Sequence, residues 1–185
     1  MAGAGCSEGT RGQRDELLFT LLSPEETGAD FVNHLDYDEQ LKKKFNIYTY
    51  RNFYNGGGVG MGDVNNDGLI DLFLTSIMGD NTLYLNKGNM RFEDISASAG
   101  VQGHGEWSTG VSLADVNGDG WTDIYVCNSG NVEGDRRQNE LYINNGDLTF
   151  TERAAEYGIN DAGYSTHGAF YGFTTPGTTT WTSTC

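Results

Sequence analysis

An internal repeat of about 50 residues constrains the fold of this chain more than any other feature of its sequence. Residues 58–74 read GVGMGDVNNDGLIDLFL, and the same pattern returns at 110–126 as GVSLADVNGDGWTDIYV. Corresponding positions lie 52 residues apart, so that Asp63 matches Asp115. A second block, LYLNKG at 83–88, returns as LYINNG at 141–146. Such a repeat predicts similar structural units, each of which buries an apolar face against its neighbour.

Each unit is predicted to contain four short β-strands. Apolar residues alternate with period two between turns rich in Gly and Asn, which is the pattern of half-buried strands. Four strands in about 50 residues are typical of one blade of a β-propeller. We therefore expect an all-β fold made of two complete blades and a partial third. Such a set forms an incomplete ring, since a closed propeller needs at least about four blades.

The repeat also divides the chain. The predicted divisions are a disordered N-terminal segment at 1–16, a lead-in segment with a strand at 17–57, the repeat region at 58–170 with units at 58–109 and 110–166 and a partial third from 167, and a Thr-rich tail at 171–185. The tail is aberrant because no acidic loop follows Phe170. Threonine codons read in a shifted frame encode Asp, Asn, Tyr or His, and Asp and Asn are the residues that an acidic loop needs. One hypothesis is therefore that a frameshift produced the tail. The alternative is a genuine Thr-rich tail.

Each unit carries one acidic loop that suits calcium. Oxygen-bearing side chains occupy positions 1, 3, 5 and 9 of the loop, a Gly at position 6 permits a sharp turn, and a backbone carbonyl at position 7 adds a further oxygen. Calcium requires six to eight such ligands, whereas Mg²⁺ demands a smaller and more rigid shell. The predicted metal-binding residues are Asp63, Asn65, Asp67, Leu69 and Asp71 in the first loop and Asp115, Asn117, Asp119, Trp121 and Asp123 in the second.

An EF-hand and an acidic turn without metal are two other interpretations of these loops. An EF-hand needs an acid at position 12, but that position is Leu74 in one loop and Val126 in the other. An acidic turn without metal remains an alternative, because Asp, Asn and Gly also form ordinary turns. Two copies that keep every acid favour calcium, since clustered carboxylates repel one another unless a cation lies between them.

These loops resemble the FG-GAP repeat, also known as the VCBS type, found in integrin alpha-subunit propellers and in many bacterial surface proteins. The segment TYRNFYNGGG at 49–58 is similar to bacterial proteins of this group that often carry an ASPIC/UnbV domain. The resemblance covers about residues 17 to 170. It implies a β-propeller of about seven blades with calcium loops and a recognition surface, and it implies no catalytic residues.

Composition excludes several classes of partner. The 26 acidic residues outnumber 11 basic ones and give a formal net charge of −15, so nucleic acid and anionic membranes are disfavoured. The apolar runs are far shorter than the ~20 residues that a transmembrane helix needs.

Cys6 follows small residues, as at a bacterial lipoprotein cleavage site, and is a candidate lipid anchor. An accidental likeness is the alternative, since no apolar segment precedes it.

These observations predict a calcium-binding β-propeller repeat module that is exported or at the cell surface. Its location is expected to be extracellular, at the outer-membrane surface or periplasmic, and its partner an unknown protein or glycan, as in adhesion. Residues 103–107, GHGEW, are the best candidate recognition loop, although packing of Trp107 between blades, with Glu106 simply solvated, is the favoured interpretation of these residues. The alternative function is a non-catalytic fragment of a propeller-based polysaccharide-active enzyme. The chain itself is expected not to be an enzyme, because no catalytic motif is found.

Overall fold

The computed structural model describes residues 19–35, 56–104, 107–129, 137–175 and 178–184. The predicted segment 1–16, Cys6 and residues 36–55 of the predicted lead-in segment, which include its predicted strand, lie outside these ranges. Over the described part, the chain forms two four-stranded antiparallel sheets and one two-stranded sheet. This arrangement confirms the all-β, blade-like fold predicted from the repeat.

The two four-stranded sheets have the same order, with each strand paired to the next along the chain. The first sheet contains β1 Val59–Gly62, β2 Asp71–Leu74, β3 Thr82–Asn86 and β4 Phe92–Asp94. The second contains β5 Ser108–Ala114, β6 Asp123–Asn128, β7 Glu140–Asn144 and β8 Phe150–Glu152. The acidic loops connect the first two strands of each sheet, β1 to β2 and β5 to β6.

Within the described ranges, three short helices flank the sheets, namely α1 Pro24–Thr27, α2 Ser96–Ala99 and α3 Ala154–Tyr157. A capping box begins α1, because Ser23 and Glu26 each bond the other's backbone N–H. The helices α2 and α3 end at Gly100 and Gly158, whose φ angles of 74° and 68° are left-handed. None of the helices in the described ranges has the length and apolar character of a membrane span.

The start of the predicted third unit lies next to the second sheet. Strands β9 Ala169–Thr175 and β10 Thr178–Thr184 pair as an antiparallel hairpin, with Ala169 opposite Thr184. The hydroxyl of Ser112 in β5 donates to the carbonyl of Gly168, just before β9. The origin of the tail by a frameshift stays a hypothesis.

The main core lies between the two four-stranded sheets. Phe73, Leu83 and Leu85 of the first sheet cluster with Ile124 and Val126 of the second. Alternation along each strand places these residues on facing surfaces. A second cluster covers the other face of the second sheet. In this cluster the rings of Tyr125 and Phe170 pack edge to face, with their centroids 5.2 Å apart. Consecutive units therefore bury their apolar faces against one another, as the repeat predicted.

Corresponding residues of the two units differ in burial, and among the described residues the second unit packs against a preceding four-stranded sheet. Val59 in β1 is 63% exposed, whereas its counterpart Val111 in β5 is 6% exposed. Glycines allow the close approach of successive units. A Cβ added at Gly58 would lie 2.5 Å from the carbonyl oxygen of Thr109, a distance at which backbone must move.

Candidate metal loops and a polar pocket

In the first acidic loop, the backbone wraps around the carboxylate of the first residue. Asp63 Oδ1 accepts the N–H groups of Asn65 and Asp67, each at 3.2 Å, and Oδ2 accepts that of Gly68 at 2.7 Å. Asp67 Oδ1 in turn accepts the N–H of Leu69 at 2.8 Å. Gly68 has a φ of 84°, which favours glycine at this turn.

The second acidic loop repeats this geometry. Asp115 Oδ1 accepts the N–H groups of Gly118 at 2.7 Å and Asp119 at 3.1 Å, and Oδ2 accepts that of Gly120 at 2.9 Å. Asp119 Oδ1 accepts the N–H of Trp121 at 2.9 Å. Both loops therefore hold the acid at position 1 by three backbone N–H groups and have left-handed residues at positions 4 and 6. One of the three N–H groups comes from position 3 in the first loop and from position 4 in the second.

The Asn at position 3 of each loop bonds the acid at position 5. Asn65 Nδ2 donates to Asp67 Oδ2 at 2.9 Å, and Asn117 Nδ2 donates to Asp119 Oδ2 at 2.8 Å. The amide oxygens accept the backbone N–H of the same acids, at 3.2 Å and 3.0 Å. These acids and amides are half-buried or exposed, so solvent and ions reach them.

The acid at position 9 has a different environment. Asp71 is fully buried, and its carboxylate accepts the N–H of Val64 at 2.9 Å and that of Asn86 at 2.7 Å. Asp123 makes the same pair of bonds, each at 2.9 Å. Each of these carboxylates therefore joins the start of its acidic loop to the end of the third strand.

Burial raises the pKa of Asp71 and of Asp123, because it penalises the charged form. The two backbone hydrogen bonds lower each pKa and offset part of that effect. The charges of the acids at positions 5 and 1 of the same loop raise the pKa further. The three carboxylates of each loop are therefore close enough to repel one another.

The two loops are connected across the interface between the sheets. Asn144, at the end of β7, donates its side-chain N–H to the carbonyl of Val64 in the first loop at 2.8 Å and to that of Thr122 at 3.0 Å. Asn66 Nδ2 donates to the carbonyl of Gly120 in the second loop at 3.1 Å. The two loops are therefore joined by hydrogen bonds from side chains to backbone.

The donor set of each loop suits a hard cation, since it contains three carboxylates, one amide and one backbone carbonyl. The carboxylates at positions 1 and 9 are turned toward backbone N–H groups. Within the described residues, no group of three or more His, Cys, Asp or Glu side chains converges as the ligands of a metal centre do. The predicted residues are thus gathered in two loops, and the binding of an ion by them stays a prediction.

A polar pocket of about 410 Å³ lies beside the second sheet. Its described lining consists of His104, Gln138, Asn139, Glu140, Glu152, Ala155 and Asn160. Glu140 Oε1 accepts the backbone N–H of His104 at 2.9 Å and lies 3.1 Å from its Nδ1. His104 comes from the recognition loop predicted at 103–107, whereas Trp107 of the same loop is buried against Ile77.

Sequence reasoning missed the two glutamates of this pocket. Glu140 and Glu152 are separated along the chain and belong to no motif. One signal was available: the first repeat has Thr82 and Asp94 at the corresponding positions, so the glutamates distinguish the second unit from the first. Pairing of β7 with β8 brings them together.

Comparison with known proteins places the repeats in a family. A family model described as an FG-GAP-like repeat matches residues 63–126 and 115–172. Cartilage acidic protein 1 of Xenopus tropicalis is 37% identical over 106 residues, which are 57% of this chain and 16% of that relative. The proteins of that name from Mus musculus and Homo sapiens are each 41% identical over 40% of this chain, and the matches cover 11% and 12% of their lengths. The chain therefore spans about a sixth or less of these curated relatives.

Proposed function

This chain belongs to the FG-GAP-like repeat family, and on that premise we propose that it is a calcium-stabilised module for recognition of a protein or glycan. The observation that supports calcium most directly is the duplication of the loop geometry. Both loops hold the acid at position 1 by three backbone N–H bonds and present the acid at position 5 to solvent. Three mutually repelling acids in each copy are stabilised when a cation lies between them.

Each ion would be held by the side chains at positions 1, 3, 5 and 9 and by the backbone carbonyl at position 7. The bound ion supplies positive charge that offsets the repulsion within the loop. These residues are Asp63, Asn65, Asp67, Leu69 and Asp71 in one loop and Asp115, Asn117, Asp119, Trp121 and Asp123 in the other.

Action outside the cytoplasm follows from the proposed affinity. Calcium loops of extracellular modules bind with dissociation constants of about 0.1–1 mM, which match extracellular calcium and not the far lower cytosolic level. Relatives named cartilage acidic protein share the acidic character seen here as a net charge of −15. The proposed role is binding and not catalysis, and the relatives' whole-protein activities are not assumed for this chain.

Thermal unfolding in calcium, in magnesium and in EGTA tests the proposal. With a dissociation constant of about 0.1 mM, about 2 mM calcium stabilises the chain by roughly 1.8 kcal/mol per loop. We expect Asp67→Asn and Asp119→Asn each to remove about half of the calcium-dependent shift in Tm, and the double variant to remove nearly all of it. Magnesium should give a smaller shift than calcium.

Asp80→Asn is a matched control, because Asp80 is an exposed acid outside both loops. This variant should keep the full calcium response. A double variant at Asp67 and Asp119 with the wild-type response would identify both loops as ordinary acidic turns. The calcium-dependent part of the proposed function would then be wrong.

A further inference from the structure

We propose that the polar pocket of the second unit binds an organic cation, the ammonium or guanidinium group of a basic peptide segment. The inference rests on the proposed recognition role and gives it a ligand class. It does not depend on calcium, because the pocket residues lie outside both acidic loops.

The centre of the pocket is a buried and firmly held carboxylate. Glu140 is only 5% exposed. Its Oε1 accepts the His104 backbone N–H at 2.9 Å, and its Oε2 accepts the side-chain amide of Asn128 at 3.3 Å. The His104 ring, whose side chain is 78% exposed, lies at the rim. A buried carboxylate held by hydrogen bonds in a cavity is already oriented for a ligand.

A second carboxylate lies on the same face of the sheet. Glu152 stands opposite Tyr142 across the β7–β8 pair, and Glu140 is two residues before Tyr142 on β7. The two glutamates are therefore diagonal neighbours on one face. Glu152 uses Oε1 to accept the N–H of Ala154 at 2.7 Å, which fixes this side chain at the pocket wall.

The hydroxyl of Tyr142 lies close to the two carboxylates. Tyr142 is only 1% exposed, so this hydroxyl is buried. Burial, followed by the charge and hydrogen bonding of Glu140 and the charge of Glu152, raises the pKa of this hydroxyl. The hydroxyl therefore lies beside both carboxylates of the pocket.

The charge of the pocket selects the ligand class. Its described lining contains two carboxylates, three amides and one imidazole, and no lysine or arginine. The nearby Arg137 directs its guanidinium over the Tyr164 ring at 5.1 Å. Two carboxylates with no lysine or arginine among the described lining residues disfavour phosphates and acidic sugars and favour a cation. A volume of about 410 Å³ lies within the range typical of small-ligand sites.

The first unit shows that this arrangement is particular to the second. It has Thr82 in place of Glu140, and its Asp94 is engaged by the hydroxyl of Ser96. The tyrosine that corresponds to Tyr142 is Tyr84, whose hydroxyl donates to Asp30 at 3.0 Å. The equivalent position is therefore satisfied from within the chain, so residues of the first unit serve as controls.

The test is calorimetric titration of the full chain with N-acetyl-arginine N-methylamide at low salt. N-acetyl-citrulline N-methylamide is the matched ligand control, since citrulline has nearly the same shape without charge. We expect the arginine compound to bind at least about tenfold more tightly than the citrulline compound. Glu152→Gln and Glu140→Gln should each weaken arginine binding at least about tenfold, and Asp94→Asn should leave it unchanged.

The outcomes separate the two proposals. Melting temperatures of all variants are measured, and Glu152→Gln decides the result if Glu140→Gln does not fold, because Glu152 is exposed. Equal binding of both compounds, unchanged affinity in Glu152→Gln, or an equal loss in Asp94→Asn would each overturn the pocket proposal. A calcium-dependent Tm shift in a protein that binds no arginine compound would overturn this inference and leave the calcium proposal standing.

Discussion

Asp67 and Asp71 belong to the same sequence pattern, but the structure predicts effects of very different size for their replacement when calcium is removed. Asp71 is fully buried and accepts backbone N–H groups from Val64 and Asn86, at 2.9 Å and 2.7 Å. Asn at this position retains one acceptor oxygen and turns its amide N–H toward the other donor. One buried N–H group is then left unpaired.

The magnitude follows from these two bonds. An unpaired buried N–H group costs about 1–3 kcal/mol, and the remaining bond loses the added strength of a charged acceptor. Removing the buried charge offsets part of this loss of stability, because burial disfavours the ionised form of Asp71 and raises its pKa. We expect Asp71→Asn to lower the free energy of unfolding by about 1–3 kcal/mol in EGTA. Asp67→Asn, at an exposed site, should change it by less than about 0.5 kcal/mol.

Urea unfolding in EGTA, followed by near-UV circular dichroism, measures both values. Asp123→Asn and Asp119→Asn repeat the comparison in the second loop, where Asp123 also accepts two backbone N–H groups at 2.9 Å. Equal unfolding free energies for Asp71→Asn and Asp67→Asn would refute the structural role assigned to the acid at position 9.

Two further predictions concern the contacts that hold the units together. Gly110→Ala should cost about 1–3 kcal/mol, since the added Cβ would lie 2.5 Å from the carbonyl oxygen of Thr166. Gly56→Ala, where nothing lies within 4 Å, should be nearly neutral in the same urea experiment, and equal losses would contradict the packing argument. Burial raises the pKa of Tyr84 above 10.0. The neutral hydroxyl therefore stabilises the folded chain fully below pH 10, and this stabilisation is lost as the pH rises through the raised pKa of the folded state. Between pH 9 and 11 the unfolding free energy should therefore fall more steeply in the wild type than in Tyr84→Phe, and parallel curves would show that another group is responsible.

Several local features could be predicted because their causes are local. The glycines at 100 and 158 end their helices in the left-handed conformation that sequence punctuation indicates. The capping box at Ser23 is likewise set by residues three positions apart. The acidic loops are also local, since the bonds from backbone N–H groups to the acid at position 1 span at most five residues. Short-range geometry of this kind depends little on the rest of the chain.

The pocket could not be predicted in the same way. Glu140 and Glu152 meet only because β7 pairs with β8, and His104 reaches Glu140 from 36 residues away. No spacing rule relates such residues, because the register of the strands and the path of the preceding segment decide their distance. The coupling of the two acidic loops through Asn144 has the same origin, since it bonds a residue 80 positions earlier.

The repeat by itself predicted the four-stranded unit. The same pattern of apolar and turn residues recurs in both copies, and it favours the same arrangement of strands in each. It also determined where each acidic loop lies and which oxygens it contains. Only the tertiary structure decided which acids are buried and which are exposed. Asp71 and Asp67 differ because the end of β3 supplies an N–H donor to one carboxylate and leaves the other in solvent, and a pattern of residue types does not encode that environment.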